Sequence, residues 1–94
     1  PILAPEAERI GLISRAVPSA DLDREVQELA AFLAAKSPVA MRLGLEAFRE
    51  QQDLDMNDAL PYLQGMLLSV LSTEDAREGI TAFLEKREPS WTGR

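Results

Sequence analysis

Ser72-Thr73-Glu74-Asp75-Ala76-Arg77-Glu78-Gly79-Ile80-Thr81-Ala82-Phe83-Leu84-Glu85-Lys86-Arg87, followed by Glu88-Pro89-Ser90-Trp91-Thr92-Gly93, decides how the rest of this chain is read. Two hydroxyl residues and then two acids form a helix-start signal. Either hydroxyl can cap, and Ser72 with Asp75 resembles a capping box. Ala76, Ile80, Phe83 and Leu84 recur at helical spacing, and the basic pair Lys86-Arg87 closes the run before Pro89. The stretch predicts one complete amphipathic helix.

Three further helices precede it. From Ala20 to Lys36 the residues Leu22, Val26, Leu29, Ala30 and Leu33 share one face, with Ser19 or Asp21 as cap. Ser37-Pro38 starts the next, Ser37 as N-cap and Pro38 at the first helical position. It is predicted to run to about Gln52 and to bury Val39, Leu43 and Ala47, with Leu45 or Phe48 beside them. The third carries Leu60, Leu63, Leu67, Val70 and Leu71. Pro61 is harmless if Asp58 caps that helix; otherwise the helix begins near Asp55 and kinks. Before all of these, Pro5 to Ile10 forms a short helix stopped by Gly11. Leu12 to Val17 is then an apolar run suited to an edge strand, although nothing downstream offers it a sheet. The fold class is mainly α: four helices after a short helix and an edge strand. The helices with Met41, Leu45, Met66 and Leu68 have apolar faces wider than one core requires, which calls for a second partner surface.

Composition removes several kinds of chemistry. With no cysteine and no histidine, disulfides, thiolate nucleophiles, imidazole metal sites and serine–histidine–aspartate triads are excluded within these 94 residues. The net charge of −6 opposes a nucleic-acid partner, because phosphate backbones need a basic face. No apolar run approaches the roughly 20 residues that span a bilayer, so no membrane partner and a cytoplasmic setting are expected.

Few residues are candidates for a site. Asp53-x-Asp55-x-Asn57-Asp58 looks like a calcium loop, but Asp58 stands where glycine is required and Gln64 where glutamate is, so a solvated turn and helix cap is the expectation. Glu74, Asp75 and Glu78 in a first turn are explained by the helix dipole, without acid–base work. Gly44, Gly65 and Gly79 inside helices point to close helix–helix approach. Lys86, Arg87 and Arg94 form a basic cluster on an acidic chain. They serve either as ordinary dipole compensation or as an anchor for a phosphorylated ligand, with Phe83 as its apolar neighbour. Trp91 reads as a packing plug.

The residues 72–93 quoted above resemble the ending of the crotonase superfamily (enoyl-CoA hydratase/isomerase family): an acid, then EG, AF, EKR, P, an aromatic and G. Ala7-Glu8-Arg9-Ile10-Gly11-Leu12-Ile13-Ser14-Arg15-Ala16-Val17-Pro18 is similar to that family's "GLV..VVP" segment, and Lys36-Ser37-Pro38-Val39-Ala40 to its "KSP.A" junction. The resemblance implies the C-terminal region of an enzyme acting on acyl-CoA thioesters through an enolate held by two backbone N–H groups. It implies that residues 1–18 are the tail end of a spiral core and 19–94 a helical oligomerisation and active-site-cover domain. Its partners would be that core and neighbouring subunits of a homotrimer or hexamer. The catalytic groups would precede this segment, leaving no catalytic residue, no metal and no cofactor of its own here. The family's phenylalanine and lysine near the CoA nucleotide fall on Phe83 and Lys86, with Arg87 a weaker candidate. A free-standing helical module that self-associates and binds no CoA is the rival reading.

Overall fold

The computed structural model describes all residues from Pro1 to Arg94. The helices are α1 (Ala4–Arg9), α2 (Leu22–Ala34), α3 (Pro38–Gln51), α4 (Met56–Leu71) and α5 (Glu74–Glu85), with a single 3-10 turn at Ser19–Asp21. The chain divides into two compact units, residues 1–33 and 34–94.

In the first unit α1 ends as glycine dictates. Gly11 takes φ +78°, and the N–H groups of Gly11 and Leu12 return to the carbonyls of Glu8 and Ala7 at 3.0 and 2.9 Å. This arrangement overturns the expected edge strand: residues 12–17 form none. Leu12 and Ile13 both spend their N–H groups on Ala7, and the Ala16 N–H donates to the Glu8 carboxylate at 2.8 Å. Donors committed to a helix end and a side chain are not available to a strand ladder. Arg15 pairs with Glu25 at 3.1 Å, above a small hollow floored by Val17, Leu22, Val26 and Leu29.

The second unit packs α3, α4 and α5 on one another. Ser37 caps α3, its hydroxyl accepting from the Ala40 N–H at 3.2 Å. Asp55 caps α4, accepting from the N–H groups of Asn57 and Asp58 at 2.9 and 3.2 Å. The aspartate-rich turn is thus a helix cap, and the helix starts three residues before the position that would have made Pro61 harmless. Pro61 lies inside α4. The carbonyl of Asn57 consequently lacks its i+4 donor. Thr73 rather than Ser72 caps α5, accepting from Ala76 N–H at 3.0 Å, while the Ser72 hydroxyl turns back to the Ser69 carbonyl. No capping box forms with Asp75. Gly44 and Gly65 face open space, so close helix approach does not account for them.

The buried apolar residues are small: Ala7, Val39, Ala47, Ala59 and Ala82. Leu43 is half-buried, and Leu45, Phe48, Leu67, Leu68 and Leu84 are exposed. Polar groups are in better order, since every buried side-chain nitrogen and oxygen has a hydrogen-bond partner. No helix is long and apolar enough to cross a membrane.

Because Pro61 is exposed within α4, replacing it costs no packing and restores a backbone donor. Pro61→Ala should stabilise the fold by about 1–3 kcal/mol. Thermal unfolding followed by circular dichroism checks this; an unchanged or lower midpoint would mean that the proline favours the start of α4 more than it weakens its ladder.

Candidate functional site

The first turn of α5 gathers the C-terminal tail. Asp75 is the second residue of the helix, so its N–H has no partner within α5. The carbonyl of Arg94, the last residue, accepts from it at 2.8 Å. The Asp75 side chain is 1% exposed. Its carboxylate accepts from the Ser37 hydroxyl at 2.6 Å, from the Thr92 N–H and hydroxyl at 2.7 and 3.0 Å, and from the Gly93 N–H at 3.1 Å. Burial alone would raise the Asp75 pKa. The hydrogen bonds from Ser37, Thr92 and Gly93 outweigh it and hold the group below its ordinary value. One carboxylate therefore ties the start of α3, the start of α5 and the chain end together.

A second clamp lies one turn further along. Glu78 receives both arms of the Arg87 guanidinium at 2.7 and 3.0 Å, and the Ser90 N–H at 2.7 Å. The Arg87 Nε donates to Glu85 at 2.6 Å. Hydrogen bonds from Arg87 and from the Ser90 N–H bring the Glu78 pKa down to about 2, against opposition from burial and from the Asp75 charge. Between the two clamps lies Trp91. Its indole N–H donates to the Ala35 carbonyl at 2.7 Å, and its ring lies 3.3 Å from where a methyl group on residue 79 would sit. Gly79 is therefore the seat of an aromatic ring rather than a helix–helix contact, and Trp91 is a packing plug.

These clamps settle what the acids can do. A general base works best with a pKa near the operating pH. Asp75 and Glu78 are held as anions with their lone pairs occupied, so their work is structural. The dipole explanation of the three acids suffices only for Glu74, whose side chain is 57% exposed. No cluster of three or more metal-ligating side chains is present.

Phe83 and Lys86 are left unabsorbed by this network. Phe83 stands in the last turn of α5 and is 81% exposed. It borders a groove of about 400 Å³ whose other walls include Leu71, Gly79, Ile80, Leu84 and Trp91. Lys86 caps α5 in the left-handed conformation, at φ 54° and ψ 44°. That region costs a side-chain-bearing residue on the order of 1–2 kcal/mol. The turn is closed by Lys86 N–H to the Phe83 carbonyl at 3.2 Å and Arg87 N–H to the Ala82 carbonyl at 3.0 Å. Lys86 is exposed and makes no ion pair, whereas Arg87 is fully engaged by Glu78 and Glu85. The basic cluster thus separates into a structural arginine and an available lysine, one turn from an exposed phenyl ring. This arrangement can bind a ligand with an anionic group and a flat or apolar body.

Comparison with known proteins identifies the lineage. The family profile described as enoyl-CoA hydratase/isomerase matches residues 1–94. This chain belongs to the enoyl-CoA hydratase/isomerase family. Human mitochondrial enoyl-CoA hydratase domain-containing protein 3 is 38% identical over 92 residues, covering 98% of this chain and 30% of that relative. Carnitinyl-CoA dehydratase of Escherichia coli K12 is 39% identical over 95 residues, covering 97% of this chain and 36% of the enzyme. The crystal structure of the human hydratase domain-containing protein 3 superposes with a TM-score of 0.93 at 38% identity, over 96% of this chain and 36% of that one. The chain spans about a third of the length of the curated relatives it matches. It corresponds to the C-terminal, helical part of enoyl-CoA hydratase/isomerase folds.

The acidic clamps generate two predictions. Asp75→Ala strands a buried hydroxyl and two backbone N–H groups, whereas Glu74→Ala removes one long contact at 3.4 Å to Thr92 and one ion pair at 3.5 Å to Arg94. The first substitution should lower the thermal midpoint far more than its neighbour does; equal effects would strip Asp75 of its central place. Acid should also free the tail. Both carboxyls have folded pKa values below their unfolded ones, so the stability they lend is present above the unfolded value and is lost as pH falls through the folded one. Emission from Trp91, the sole tryptophan, should stay constant down to about pH 4.5 and shift to the red between there and about pH 2. A transition complete above pH 4.5 would mean that other groups hold the tail.

Proposed function

We propose that this sequence is the helical oligomerisation and active-site-cover region of an enoyl-CoA hydratase/isomerase-type enzyme. The enzyme acts on acyl-CoA thioesters through an enolate held by backbone N–H donors that lie outside these residues. Residues 1–18 finish the spiral core and residues 19–94 form the covering domain. The observation that carries this reading is the family match across all 94 residues. The exposed leucines and phenylalanines of a chain whose own buried apolar residues are alanine and valine agree with it. We assign the cover of those faces to the enzyme's own core and to neighbouring subunits of a homotrimer or hexamer, in a cytoplasmic setting. No catalytic residue is assigned within the chain.

Phe83 and Lys86 are proposed to contribute to the CoA site. The exposed ring supplies an apolar surface for the nucleotide, and the ammonium supplies a cation for its phosphates. Such contacts lie far from the reacting carbons and hold the ground state and transition state equally.

The test uses the enzyme that carries this region, and glycine rather than alanine as the replacement. Glycine adopts the left-handed turn at no steric cost, so Lys86→Gly removes the ammonium without weakening the helix end. KM for a CoA thioester should rise about five- to tenfold with kcat nearly unchanged, as uniform binding requires. An unaltered KM would remove Lys86 from the site. A chain that assembles with itself, stays soluble and shows no affinity for CoA would instead support the self-association module.

A further inference from the structure

Lys86 is the only residue besides two glycines whose backbone lies in the left-handed region. A helical continuation would have carried its side chain on around α5 by about 100°. The reversed turn decides where the ammonium points, and the two backbone bonds that close it are those of any helix end finished by glycine. With lysine in that place the turn needs further support, and the next residue supplies it. Arg87 reaches back along α5 to Glu78, two turns earlier, in a two-armed ion pair at 2.7 and 3.0 Å, and Glu78 also takes the Ser90 N–H. Arg87 engages Glu85 as well, at 2.6 Å. That second contact has its own consequence: Lys86 follows Glu85 directly in sequence yet makes no ion pair, and it is Arg87 that engages the Glu85 carboxylate.

We infer that Glu78, acting through Arg87, is a positioning residue for Lys86: it fixes the reversed turn and keeps the lysine ammonium free for an anionic ligand. The inference rests on the proposed role of Lys86 in binding the CoA phosphates and names the device that makes the role possible. Glu78 touches no ligand. Without its charge Arg87 loses its long anchor, and the turn at Lys86 relaxes towards the right-handed helix.

The experiment is a double-mutant cycle in the enzyme that carries this region, with KM and kcat for a CoA thioester as readouts. Glu78→Gln in the parent background should raise KM about two- to fivefold at unchanged kcat. In a Lys86→Gly background the same substitution should leave KM where Lys86→Gly alone put it. Arg87→Gln provides the same cycle from the other partner, should Glu78→Gln lower the yield of folded enzyme. An equal KM increase in both backgrounds would show that the clamp acts on the fold and not through Lys86, and would overturn the inference. So would an unchanged KM for Glu78→Gln where Lys86→Gly raises it. If Lys86→Gly itself leaves KM unchanged, the binding role of Lys86 fails first and takes the inference with it.

Discussion

A buried carboxylate sets the terms for the second half of this protein. An ionised aspartate in an apolar interior is costly unless its lone pairs are filled, and Asp75 fills them with a hydroxyl from α3 and with donors from the chain end. The constraint runs both ways. Asp75 is tolerated because Ser37, Thr92 and Gly93 converge on it. Ser37 does double duty: its oxygen accepts from the first turn of α3 while its proton goes to Asp75. Fixing one cap thereby fixes the approach of α3 to α5.

The tail follows from that constraint. With Thr92 and Gly93 held at the start of α5, the chain between Glu85 and Ser90 must double back along the helix that it has just left. A reversal at the helix end is unavoidable, and it falls on Lys86. Glu78 and Arg87 then hold the returning strand, and Trp91 fills the space above Gly79, where any side chain would crowd it. The run from Asp75 to Gly93 therefore reads as a single object: acids spaced one turn apart on the helix face the donors of its own tail. The side chains of Phe83 and Lys86 take no part in that hydrogen-bond network and are exposed, as are those of Ile80 and Leu84.

Much of the helical architecture was legible because its determinants are local. Pro5, Ser37-Pro38 and Gly11 act within a few residues of themselves, and the structure places them as their chemistry predicts. The edge strand at Leu12–Val17 was misread for the opposite reason. Apolar content suits a strand, but strand formation depends on where the N–H groups go, and Ala7 and Glu8 take them. The central place of Asp75 was hidden by a sufficient local explanation: an acid in a first turn is favoured by the dipole, so nothing called for partners 17, 18 and 38 residues away. One signal was available. Asp75 and Glu78 are one turn apart and share a face, followed by a short tail that holds donors and Arg87, and a helix dipole does not require that spacing. Phe83 and Lys86 came from family resemblance; spacing alone made them an ordinary helix end.

The contrast between the polar and apolar parts of the second unit has a physical consequence. Hydrophobic burial is non-directional, and the fully buried apolar residues here are small, so burial fixes the approach of α3 to α5 less sharply than a directional contact does. Hydrogen bonds to a charged acceptor are directional and fail steeply with angle. The Asp75 and Glu78 clamps can therefore hold the helix arrangement and the tail in register while Leu67, Leu68, Phe83 and Leu84 remain on the surface. A unit built in this way has its geometry set before its apolar faces are covered. Such pre-organisation lowers the ordering cost of burying those faces against any partner surface, because the helices and the tail need not be arranged at the moment of contact.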